Sequence, residues 1–459
     1  MFTLALPIAM QNLLSVTASM IDTIMIGSQG ELAVAAIGIC SQIGSLFFNL
    51  YWGFASTSIL FFSQYWGARD EDGINRTFGL VFLCFAAIGC TFAGLCITHP
   101  SLLLSIYTDK ENLVLIGTPY MRIVGWAYIF QIFSTLIMLL LRATERVRGP
   151  LICSIISVIV NFVANWTLIY GRFGFPKMGA SGAAVGTLLS GMVNFILLLI
   201  ILLRSECEIR IQFGKLFLLP GSFVGTYFKK ALPIVANEML YGIGQMIINI
   251  VIGHQDEAAI AAMAAFRVCE GFVYAFFGGL SNATSVIVGK EIGAGRLEQG
   301  HQYAKRSSLF CPLVTFVVVL ICVICNQPLF ELFGLGSQAL HYGKYMLLIY
   351  LFFGSIRTSN YIMNETFRAG GESVFGTVVE VIGLYALSIP LTWLAGMYWK
   401  LPFLLVFAFV YTDEFVRFFI LLPYTFAGKW IKPVTEQGKA ALDDFRARHI
   451  HKKHGSRMK

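Results

Sequence analysis

The chain has 459 residues, 57% of them hydrophobic and only 13% charged, with a mean hydropathy of +0.74. A soluble protein carries roughly twice that share of charge, so these residues cannot cover a water-facing surface, and a soluble enzyme or binding domain is excluded. The formal net charge of +8 raises nucleic acid as a partner, but the placement of the basic residues assigns it elsewhere.

Apolar runs of membrane-crossing length predict an all-α integral membrane protein. Six spans fall near 3–26, 33–64, 77–98, 113–141, 150–171 and 182–203. Six more fall near 231–253, 258–289, 307–327, 340–367, 374–396 and 402–427. The first run follows Met1 without a basic lead-in and reads as a retained helix, not a cleaved signal. With the N-terminus inside, 24 of the 33 Lys and Arg fall on inner loops and the tail, while Lys110, Arg172, Lys177 and Lys400 fall outside. This asymmetry predicts cytoplasmic termini in a cell membrane, with the basic excess meeting anionic lipid and no nucleic acid. His449, His451 and His454 among the tail lysines read as part of a flexible basic tail, not a metal site. The ten cysteines show no metal-ligand spacing and read as free thiols.

An offset of 226 aligns the two halves of the chain. Ala5-Leu6-Pro7-Ile8 meets Ala231-Leu232-Pro233-Ile234, and fifteen of the thirty-two residues at 5–36 are identical. Gly67-Ala68 meets Gly293-Ala294, and Arg142-Ala143 meets Arg368-Ala369. Apolar bias does not reproduce a shared spacing of Pro, Gly and Arg, so this is an internal repeat. Six helices per half make the repeats parallel, with a central cavity and alternating access as the expected consequence. The expected layout is an N-terminal lobe at 1–203, a cytoplasmic linker at 204–230, a C-terminal lobe at 231–427 and a basic tail at 428–459.

Ionisable groups inside a membrane are costly and point to function. Asp22, late in the first helix, reads either as a wetted helix-end residue or as a carboxylate whose protonation or cation binding is coupled to lobe movement. Glu238, one turn past Pro233, carries the same two readings. Asn161 and Asn165 are four apart on one helix face and suit either helix-helix hydrogen bonds or a polar site. Arg267 and Glu270, three apart, are expected to pair with each other. With Gln42, Tyr241 and Gln245 they are the candidate cavity wall. Glu365, Asp413 and Glu414 read as ordinary helix-end charges. No phosphate loop and no paired metal-binding histidines occur. An ion gradient of H⁺ or Na⁺ is therefore the expected energy source, with no cofactor and no enzymatic activity.

The stretch Asp22-Thr23-Ile24-Met25-Ile26-Gly27 resembles the first-helix signature of multidrug and toxic compound extrusion (MATE) transporters. So, for their own helices, do Gln64-Tyr65-Trp66-Gly67-Ala68, Asn237-Glu238-Met239-Leu240-Tyr241 and Arg368-Ala369-Gly370-Gly371-Glu372. The resemblance covers nearly the whole chain. It implies an antiporter in which H⁺ or Na⁺ enters while cationic or amphipathic small molecules leave; the chain is expected to act as a monomer. It further implies that Asp22, Asn161, Asn165 and Thr187 form a cation-binding network, able to hold Na⁺ at Asp22, Asn161 and Asn165, and that Glu238 is a second-half coupling acid. Asn165 stands where many relatives have Asp, which leaves one carboxylate fewer. A lipid-linked oligosaccharide flippase of a related superfamily is the alternative.

Overall fold

The computed structural model describes residues 1–204, 212, 214–331 and 336–455; the side chains of His449, His451 and His454 lie outside the described residues. Among the described residues the chain is helical, with no strand. The first six long helices are α1 (Phe2–Gly27), α2 (Glu31–Ala68), α3 (Glu71–Thr98), α4 (Glu111–Ala143), α5 (Arg148–Tyr170) and α6 (Ala180–Leu203). The second six are α7 (Gly221–Gly253), α8 (Glu257–Gly293), α9 (Leu297–Ile324), α10 (Ser337–Ala369), α11 (Phe375–Tyr398) and α12, which is broken into Phe403–Phe409 and Thr412–Ala427.

The repeat is visible in the element boundaries. α3 and α9 begin and end 226 residues apart, as do α4 and α10, and so do the short helices Pro100–Ser105 and Asn326–Glu331. Left-handed turns repeat too: Arg69 and Glu145 have positive φ where the second half has Gly295 and Gly371. Among the described residues, ten helices are long and apolar enough to cross a membrane by length and composition. α10 fails that measure because it carries Arg357, Asn360, Asn364, Glu365 and Arg368, and α12 because it is interrupted near Val410 and Tyr411. α7 starts at Gly221, so part of the expected linker is already helical.

The chain forms two compact units: Met1–Ala9, Ile59–Asp70 and Thr226–Lys459 make one, and Met10–Ser58 with Glu71–Gly225 the other. Within the first unit the ends of α2 and α8 cross in backbone contact. A Cβ on Gly67 would lie 1.9 Å from the Lys290 carbonyl oxygen, and one on Gly293 would lie 1.9 Å from that of Gln64. Only glycine allows this approach, and these two glycines are equivalent in the repeat. The Gln64 side chain joins the crossing to its surroundings. Its Nε2 donates to Ala369 O at 2.7 Å, and its Oε1 accepts from Val434 N at 2.8 Å.

That second partner belongs to the segment after α12, which is not a flexible tail at its start. Trp430 is buried and donates from Nε1 to Thr425 O at 3.0 Å. Lys432 N donates to Gly370 O at 2.7 Å, and Thr435 Oγ1 to Gly293 O at 2.8 Å. The polar backbone of a chain crossing helix ends needs such partners, and here helix-terminal carbonyls supply them.

In the other unit, α1, α2, α5 and α6 share an apolar cluster of Met25, Ile26, Ala33, Ile37, Ile169 and Ala183. Arg142, in the last turn of α4, is buried and donates to Gln11 Oε1. The nine described cysteines are all free.

Candidate functional sites

The first polar group lies in the unit that contains most of the first six helices. Asn161 and Asn165 are one turn apart on α5, so both side chains leave the same face. Asn165 Nδ2 donates to Asp22 Oδ1 at 2.6 Å and to Asn161 Oδ1 at 3.3 Å. Gly186 on α6 makes room for this amide: a Cβ there would fall 1.9 Å from Asn165 Oδ1. That oxygen is buried with no hydrogen-bond partner among the described residues. Asp22 is half-buried and has no basic side chain within ion-pair distance among the described residues. Thr187 is next to Gly186, but its hydroxyl donates to Ala183 O at 3.0 Å on its own helix. The structure thus brings Asp22, Asn161 and Asn165 together, and among the described residues Thr187 makes no hydrogen bond to the carboxylate.

The second polar group lies among the last six helices, in the other unit. Arg417 on α12 is buried and reaches Glu380 at 3.2 Å, Asp413 at 3.2 Å and Glu414 at 3.4 Å. Arg368 pairs with Glu238 at 3.1 Å and with Glu365 at 2.8 Å. Arg357 pairs with Glu270 at 2.5 Å, lies 3.7 Å from Glu414 and donates to Tyr241 OH at 3.0 Å. Amides complete the network: Asn237 and Asn364 donate to Glu380 Oε2 at 3.0 and 3.1 Å, and Asn360 to Glu414 Oε2 at 2.8 Å. Three guanidinium groups, which stay charged in proteins, therefore face six carboxylates.

Beside this network is a cavity of about 210 Å³ lined by α7, α8, α10, α11 and α12. Tyr241, Gln245, Arg267 and Glu270 all line it; Gln42 is exposed on α2 in the other unit. Two expectations need correction. Arg267 and Glu270 do not pair: Glu270 is engaged by Arg357 and by Tyr411 OH, whereas Arg267 donates to Asn249 Oδ1. Glu365, Asp413 and Glu414 are not lone helix-end charges, because each is buried against an arginine.

Arg357, Arg417 and Glu380 are the important residues that sequence reasoning passed over. The signal was available in the two arginines, since both fall inside expected spans, where an unpaired cation is costly.

Three kinds of comparison agree with this architecture. The MatE family model matches twice, at residues 7–167 and 233–394, with starts 226 residues apart. The probable multidrug resistance protein YoeA of Bacillus subtilis is 23% identical, over 87% of each chain. The probable multidrug resistance protein NorM of Thermotoga maritima is 23% identical, over 94% of this chain and 92% of the relative. A crystal structure of MATE in complex with MaL6 superposes with a TM-score of 0.83 at 17% identity, covering 92% of this chain and 94% of that one. At that identity the structural likeness speaks for the fold. The family match spans both repeats and most of the chain, so this protein belongs to the MatE family of multi-pass membrane transporters.

Proposed function

We propose that the chain is a cation-coupled antiporter that uses inward movement of H⁺ or Na⁺ to export toxic, cationic or amphipathic small molecules. The observation that carries this reading is Asp22, a carboxylate in a membrane helix whose hydrogen-bond partner is a neutral amide. An ionised group in that setting is costly without a counter-charge. A proton on Asp22 removes the charge, and a Na⁺ ion balances it. The partnerless Asn165 oxygen supplies a further hard ligand of the kind such a cation takes.

Glu238 is proposed as the coupling acid of the second half, exchanging its charge balance with Arg368 and Glu365. The Asn165 amide in place of a second carboxylate shifts part of the coupling towards that half. The two repeated halves alternate access with both termini in the cytoplasm of a plasma-membrane monomer, and the stretch at 204–230 tethers them. Relatives described as multidrug resistance proteins support the substrate class.

The test is gradient-driven efflux of ethidium from proteoliposomes under an imposed H⁺ or Na⁺ gradient. Asp22→Asn keeps the shape and removes the titrating group, so it should lose at least about tenfold in the gradient-driven rate with an unchanged melting temperature. Wild-type rates in both Asp22→Asn and Glu238→Gln would sink the carboxylate assignment.

A further inference from the structure

The α8 wall of the cavity among the last six helices holds two charges of opposite sign one turn apart, and they have different fates. Glu270 is bound by Arg357 and Tyr411. Arg267 donates to the neutral carboxamide oxygen of Asn249 and is in no ion pair among the described residues. Its side chain is exposed, not sealed in the protein. The acids lining the cavity have the reverse imbalance. Glu270, Asp413 and Glu414 share Arg357 and Arg417, and Arg417 is also bound to Glu380. Arg267 therefore lacks a negative partner, while the acids together have room for a further positive one.

We infer that this cavity takes a small soluble zwitterion, with its carboxylate on Arg267 and its protonated amine towards Glu270 and Glu414. This rests on the export reading above and narrows it. The planar guanidinium presents two parallel N–H donors that match a carboxylate, and a guanidinium with no ion-pair partner gains from a bound anion. Tyr241, on the wall, adds an aromatic ring of the kind that suits an amine. A volume of about 210 Å³ is below the roughly 300–1,000 Å³ of drug-sized sites. It fits a compact zwitterion, or the charged end of a larger one.

The probes are 4-(aminomethyl)benzoate, its methyl ester, which is a plain cation, and benzoate, a plain anion. Their binding is measured by titration calorimetry on the intact protein in phosphatidylglycerol nanodiscs. The zwitterion should bind more tightly than either relative. Arg267→Gln should weaken it by about tenfold to a hundredfold, the range for losing a hydrogen-bonded charge, and leave the ester unchanged. Arg267→Lys, which keeps the charge and loses the fork, should fall between the two. Equal losses for zwitterion and ester, or no loss for either, would overturn the inference. So would zwitterion binding that weakens in phosphatidylethanolamine nanodiscs, since a lipid headgroup would then be the occupant. Failure here and failure of the export reading are separable. Ethidium export with no zwitterion preference removes only this inference, whereas absent gradient-driven export removes the coupling reading and leaves the binding ratios to stand.

Discussion

Gln64 offers a local test of how the two repeats are joined inside one unit. Its side chain is buried and occupies both a helix-terminal carbonyl, Ala369 O, and the amide of Val434 in the segment after α12. Gln64→Met keeps most of the volume and removes both hydrogen bonds. Each buried group left without a partner costs about 1–3 kcal/mol. Val434 is only half-buried, which offsets part of its share, so a total of about 2–4 kcal/mol is expected. At 1.4 kcal/mol per tenfold, local opening of the segment becomes about 30 to 1,000 times more frequent. Hydrogen exchange followed by mass spectrometry reads this directly. Peptides covering 430–438 should exchange faster by that factor, while peptides from α4 in the other unit keep their wild-type rates. Exchange at 430–438 within threefold of wild type would refute the reasoning, because it would mean that the backbone contacts at Gly370 and Gly293 hold the segment alone.

Two further outcomes follow from close contacts and charge. Gly186→Ala places a methyl against Asn165 Oδ1 and should displace the amide from Asp22, reducing gradient-driven ethidium efflux without removing any polar group; an unchanged rate would mean that the amide does not set the carboxylate. Glu372, in the turn between α10 and α11, is pushed up by burial. Its pairing with Lys432 and the amides of Val374 and Phe375 outweigh this and hold it below the ordinary glutamate range. A depressed carboxyl stabilises the fold above the unfolded value of about 4.3 and loses that contribution as pH falls through the folded value. Glu372→Gln should therefore lower the melting temperature at neutral pH, and the gap from wild type should close below about pH 4. A gap of the same size at both pH values would show that Glu372 acts through shape and not through charge.

The helices were legible in the sequence because hydrophobic length is a one-dimensional property. The repeat was legible because Gly, Pro and Arg mark places where backbones meet. Gly67 and Gly293 stood out as matched residues, and the structure gives the reason in a crossing that no side chain permits. The pairing of charges was harder to see. Arg267 and Glu270 are neighbours on one helix face, so local spacing favoured a pair, but Arg357 arrives from α10 and takes the carboxylate. Sequence distance holds no record of such competition between helices. Asp413 and Glu414 were hidden differently: the break in α12 makes them a helix start, which in a sequence looks like a routine end charge. The segment after α12 read as a tail because its composition is basic. Its anchoring depends on Trp430 and on backbone atoms, which composition does not report.

Comparing equivalent arginines shows how the two halves diverge on one scaffold. Arg142 and Arg368 are matched in the repeat, and each ends its long helix as a buried group. Arg142 meets the neutral Gln11, whereas Arg368 meets Glu238 and Glu365. A buried guanidinium bonded to an amide keeps its full charge, so its partner has no proton to trade. One held between two carboxylates sits in a group with a formal charge of −1, which a single proton or Na⁺ neutralises. The same division separates the two polar groups: the first has one acid held by an amide, and in the second arginines share a surplus of acids. Under the antiport proposed above, exchange of charge would have two unlike places to occur. In the first, neutral amides would respond to one carboxylate. In the second, a change in protonation would redistribute ion pairs across α7, α10, α11 and α12. Each arginine reaches acids on more than one helix, so neutralising one acid would change which helices the ion pairs join.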